Sequence, residues 1–92
     1  MQKHTRVYFN HFDIGEQDLV TCEFCGKQGR ADGDGFDLHH IHGRGKDKDV
    51  IENLIMLCRK HHTFVHDSKI SKDNVQVIHN YYLAGVRKQF IK

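Results

Sequence analysis

Two short pairs of residues constrain this chain more than anything else in it. They are Cys22-x2-Cys25 and Cys58-x2-His61, with 32 residues between Cys25 and Cys58. Each pair spans one turn and can present two ligands to a single ion. Zinc in a closed structural site takes four such ligands in a tetrahedron, with Zn–S near about 2.3 Å. Three thiolates and an imidazole on one zinc would use every cysteine in the chain. His61 is the fourth ligand in this reading, and the adjacent His62 is the alternative. Two plainer readings compete: an ordinary buried thiol at Cys58, which Met56 and Leu57 precede, and a redox pair at Cys22 and Cys25. The redox pair requires a βαβ context that the flanking residues do not offer.

Size makes a structural metal reasonable before any motif is read. A chain of 92 residues forms one domain, and a domain of this length has a modest core that often needs a metal or disulfides to stand alone. Three cysteines cannot all pair with one another, and MQKHTRVYFNHF has no charged segment followed by an apolar run and a cleavage site. The expectation is a cytoplasmic protein with its thiols free for metal. No apolar run approaches the roughly 18 residues of a membrane span. A formal charge of +2 permits nucleic acid as a partner without demanding it. Histidine is the outlier, with nine in the chain and six of them between Asp37 and His66.

The first 21 residues carry Val7, Tyr8, Phe9, Phe12 and Ile14 and read as a packing arm, helical or extended. Gly26 closes CEFCG as a turn residue, GRADGDG (29–35) reads as a turn or hairpin tip, and Phe36 to Ile41 as a short strand. HGRGKDKD after it is a loop. Val50 to Leu57 is too apolar to be exposed, yet its periodicity does not decide between helix and strand. Arg59 to His66 reads as a helix with Phe64 and Val65 on its apolar side. Ser71 as N-cap and Asp73 in the first turn open a C-terminal helix over about 71–90, with Val75, Ile78, Tyr82 and Val86 recurring at steps of three and four.

On the helix over 59–66, His62 and His66 are four residues apart and share a face. His39 from the strand could meet them, giving three imidazoles at one point. Arg44 and Lys46 in the loop, with Arg59 and Lys60 at the helix start, are candidate phosphate contacts diluted by Asp47 and Asp49. His4, His11 and His79 read as surface or packed residues, and His42 as part of the loop.

The order His39-His40, Asn53, His62, enclosed between C-x2-C and C-x2-H, closely resembles the HNH nuclease family with its ββα-metal core. The resemblance covers about 22–66, leaving the arm over 1–21 and the C-terminal helix outside it, and implies an α+β fold built on that core. It puts the general base on His40, a metal ligand on His39, a second on His62, and the loop-holding asparagine on Asn53. With His66 the arrangement is similar to the triple-histidine site of the nuclease colicins and pyocins; many other members have aspartate where His39 stands. The function implied is a metal-dependent DNA endonuclease. Besides the structural zinc, it would use one divalent ion, for which three imidazoles favour zinc, manganese, nickel or cobalt over magnesium. DNA is then the partner, and analogy with small phage-type members adds packaging or restriction machinery. Two other functions compete: a zinc-stabilised DNA-binding module that needs only the Cys22, Cys25, Cys58 and His61 set, and a metal-storage or sensing protein. The latter leaves Asn53 and the paired histidines unexplained.

Overall fold

A computed structural model describes residues 2–85. The element order is α1 (Lys3–Phe12), β1 (Leu19–Thr21), β2 (Gln28–Arg30), β3 (Phe36–His40), a 3-10 turn (Ile51–Asn53), β4 (Leu54–Cys58), α2 (Arg59–His66) and α3 (Lys72–Leu83). This is an α+β fold whose centre is a ββα unit, β3–β4–α2. The first stretch is therefore a helix rather than an extended arm. It ends where Asp13 takes a left-handed conformation, with φ at 54°.

β1 and β2 pair antiparallel around Val20↔Gly29, so the knuckle CEFCGK is the tip of that hairpin. The sequence suggested a turn or hairpin tip over 29–35, and the turn is there but shorter. In the structure Gly29 and Arg30 are strand residues, and the turn over 31–35 leads on to β3. Gly29 lies against the ring of Phe36, where a Cβ would collide with the aromatic edge. That close approach seats the small hairpin on the larger one. Gly26 has a φ of +79° and donates its N–H to the Cys22 carbonyl at 2.9 Å, which is the tight turn a C-x2-C pair needs.

β3 and β4 pair antiparallel from Phe36↔Cys58 to His40↔Leu54. All five residues of β4 are buried. Leu54 and Met56 pack with Tyr8, Phe9 and Val20 on the α1 side, whereas Ile55 and Leu57 pack with Phe24, Val75 and Ile78 on the α3 side. A strand covered on both faces shows no alternation, which is why its periodicity is silent. Val50, expected to be buried with this segment, is 42 % exposed because it precedes the 3-10 turn rather than joining the strand.

α3 starts as its sequence suggests: the Ser71 hydroxyl accepts the N–H of Asn74 at 3.2 Å, and Asp73 sits in the first turn. Val75 and Ile78 are buried, and Tyr82 meets Phe12 of α1 with ring centroids 5.4 Å apart. The helix ends at Leu83, with Gly85 in a left-handed φ of +87° just beyond it, and the rest of the span expected to about 90 lies outside the described residues. Val86, Arg87 and Lys88 lie outside the described residues. Among the described residues no helix is long and apolar enough to cross a membrane.

Candidate active site and metal centres

Cys22, Cys25, Cys58 and His61 converge from the β1–β2 knuckle, the end of β4 and the first turn of α2. His61 Nδ1 stands 3.7 Å from the Cys22 sulfur and 3.2 Å from that of Cys58, and the Cys25 and Cys58 sulfurs are 4.0 Å apart. Tetrahedral zinc with these bond lengths needs edges of about 3.6 Å between sulfur and nitrogen and about 3.8 Å between sulfurs. The donor set and its spacing fit zinc. Burial pushes the Cys22 thiol up to about 12, so a thiolate there requires a cation beside it. His61, not His62, completes the set, because it is the histidine that faces the core.

A second cluster lies on the outer side of α2. His39, His62 and His66 bring their ligating atoms within 4.8 Å of one another. Ring centroids are 5.3 Å apart for His39–His62, 5.6 Å for His39–His66 and 4.6 Å for His62–His66. Burial, followed by the neighbouring His62 and His66 rings, lowers His39 to about 4, so its imidazole is neutral and available as a ligand at physiological pH. Asp37, two residues before His39 on the same face of β3, accepts a hydrogen bond from His62 Nδ1 at 3.0 Å and one from Arg59 Nε at 2.8 Å. Arg59 is thus held in an ion pair with Asp37. Asp37 also fixes the ring of His62 and leaves Nε2 for an ion.

β3 stays regular to its end at His40, so His39 and His40 point to opposite faces of the strand. His39 faces α2. His40 faces α1, where its ring meets His4 edge-on at 4.8 Å and its Nε2 lies 2.8 Å from Asp49 Oδ1. Its buried Nδ1 has no partner among the described residues. Both histidines nevertheless line one cleft of about 370 Å³, together with Gly43, Arg44, His62 and His66. Asn53 is buried beneath the loop that edges this cleft. Its side-chain oxygen accepts from His42 N at 2.8 Å, its amide donates to the carbonyls of Gly43 at 3.1 Å and Lys48 at 2.9 Å, and its own carbonyl accepts from Ile41 N at 2.9 Å.

Of the histidines read as surface or packed, His11 and His42 are exposed, whereas His79 is fully buried. His79 Nδ1 reaches Glu23 Oε1 at 2.7 Å and its Nε2 reaches the Ile51 carbonyl at 2.6 Å. Glu23 Oε2 also accepts from Tyr8 at 2.6 Å. Sequence reasoning missed Asp37, Glu23 and the His4–His40–Asp49 contact. Asp37 had a readable signal, its i−2 position on the strand face of His39; the others join segments far apart in the chain.

A scan against protein families matches HNH endonuclease over residues 22–68, the stretch that holds the knuckle, the elements bearing His39, His62 and His66, and Asn53. The chain belongs to the HNH endonuclease family. A search of curated proteins and a search of solved structures each find no match.

Proposed function

We propose that the protein is a metal-dependent DNA endonuclease that hydrolyses phosphodiester bonds, nicking one strand or cutting both. The observation that carries this reading is the meeting of His39, His62 and His66 at a cleft that His40 and Arg44 also line. In it, His39, His62 and His66 hold one divalent ion, and Cys22, Cys25, Cys58 and His61 hold the structural zinc. When bound, the divalent ion supplies Lewis-acid stabilisation of the charge that builds on the phosphoryl and leaving oxygens. Three imidazole donors suit zinc, manganese, nickel or cobalt better than magnesium.

The chain's own groups do the rest. Asp37 orients His62, and Asn53 holds the loop over 42–49 so that the backbone beside His40 stays fixed. His40 takes the proton of the attacking water, a contribution of about 10²–10⁴-fold for a positioned general base. It stands on the opposite face of β3 from His39, so as base it has to reach a phosphate in the cleft around the end of the strand. The contact between His40 Nε2 and Asp49 opens when water takes that position. Arg44 contributes a phosphate contact at the cleft wall.

The test is plasmid cleavage by protein carrying one equivalent of zinc, with manganese, nickel or magnesium added. Wild type should cleave, and His62→Ala should abolish cleavage with the fold intact. His40→Ala should keep both metals and DNA binding yet lose about 10²-fold or more. DNA binding without cleavage under every ion would favour the zinc-stabilised binding module. Near-normal cleavage by His40→Ala would remove the base from His40.

A further inference from the structure

Across β3 from the three histidines lies another group of ligating side chains. His4 of α1, His40 at the end of β3 and Asp49 at the end of the 42–49 loop place ligand atoms within 4.8 Å of one another. They come from three separate segments, so their meeting is produced by the tertiary fold and not by one shared turn. The His40 side chain is 4 % exposed and that of Asp49 is 30 % exposed, which gives the group a buried floor and an open side. Among the described residues one ring nitrogen of His40, Nδ1, has no partner, so its bonding capacity is not used up by them. Two imidazoles and a carboxylate are donors that zinc and neighbouring first-row ions accept, and three protein ligands leave a fourth position for water.

We propose that His4, His40 and Asp49 form a third metal site, specific for zinc-like transition ions, whose occupancy silences cleavage. The site stands on geometry alone; the silencing rests on the reading of His40 as general base. A neutral imidazole has a single ring lone pair. An ion coordinated there leaves none for the proton of the attacking water. The site lacks the three thiolates of the Cys22, Cys25, Cys58 and His61 set, so it fills after that set. Zinc in excess would then inhibit the nuclease that zinc at one equivalent folds.

The experiment counts zinc by native mass spectrometry while plasmid cleavage supported by manganese is followed over the same zinc titration. Wild type should reach three zinc ions per chain, and His4→Ala and Asp49→Ala should each reach two. Retention of the tight zinc and an unchanged thermal unfolding curve identify a variant as folded. As the third zinc binds, wild-type cleavage should fall roughly tenfold or more, within what loss of a general base removes. His4→Ala should cleave like wild type without added zinc and resist that fall. A wild type that stops at two ions, or variants that still take three, would overturn the site. A third ion that binds with no loss of cleavage would overturn the silencing, and with it the assignment of His40 as base, while leaving the site supported. Equal zinc inhibition of wild type and His4→Ala would also overturn the silencing.

Discussion

His61 and His62 are neighbours on α2, yet one is 2 % exposed among three cysteines and the other stands partly open beside His39 and His66. Successive residues of an α-helix lie about 100° apart around its axis, so a single turn can serve a closed site on its inner side and an open one on its outer side. The inner set is continuous with the core: Cys22 and Cys58 belong to the same cluster as Phe24, Ile55, Leu57 and Val75. The outer set is held by hydrogen bonds, with Asp37 steering His62 and the Asn53 side chain fixing the loop beside it. Removing an ion from the first should therefore be a folding event. Removing one from the second should be a chemical event with little structural consequence.

The sharpest way to break this contrast is a pair of substitutions one helical turn apart. Cys58→Ser takes a ligand from the closed set, and because structural zinc affinity in small domains is largely folding free energy, circular dichroism should show an unfolded or molten chain. His62→Ala should leave the far-UV spectrum and the tight zinc intact. A folded Cys58→Ser protein with an unchanged melting temperature would erase the distinction.

A smaller effect is expected where α3 is bolted to the knuckle. Both ring nitrogens of His79 contact acceptors, Glu23 and the Ile51 carbonyl, which is the pattern of an imidazolium. His79→Leu leaves Glu23 buried without its counter-charge and should destabilise the zinc-loaded protein by about 3–5 kcal/mol in urea unfolding. The manganese or nickel affinity of the open site should not move. A change confined to that affinity would mean the two sites are not mechanically separate.

The same pair gives a modest pH dependence. Burial alone would lower His79, but the hydrogen bond and charge of Glu23, helped by the Ile51 carbonyl, hold it above its ordinary value. A raised folded-state pKa stabilises below the unfolded value of about 6.5, and that stabilisation fades as pH rises through the raised value. The stability gap between wild type and His79→Leu should therefore narrow as pH rises above neutrality. A gap that widens would show that His79 is neutral in the folded protein.

What the sequence disclosed follows from where the determinants lie. The C-x2-C and C-x2-H pairs, the strand read over 36–41 and found over 36–40, the helix bearing His62 and His66 and the Ser71 cap are local patterns, and all are present. β4 was illegible because Leu54 to Cys58 is buried on both faces and carries no period. α1 was ambiguous because Gln2 supplies no side-chain cap and no acidic residue marks its first turn. Glu23 and His79 are 56 residues apart, and His4 and His40 meet only once α1 packs beside the hairpin. No spacing rule reaches that far. The stop of α3 at Leu83 was not legible because the apolar spacing runs through Tyr82 toward Val86 without a break, whereas the left-handed backbone at Gly85 ends the element.

The contrast between a folding metal and a chemical metal is tested most directly by stepwise chelation. Protein carrying one tight zinc and one manganese or nickel ion per chain is treated with a chelator of graded strength while bound metal, thermal stability and plasmid cleavage are followed in one sample. The account predicts that the first ion leaves with cleavage, that thermal unfolding is nearly unchanged at that point, and that returning manganese or nickel restores activity. The tight zinc should leave only with unfolding. Loss of structure in step with the first ion, or cleavage that persists once only the zinc on Cys22, Cys25, Cys58 and His61 remains, would contradict it.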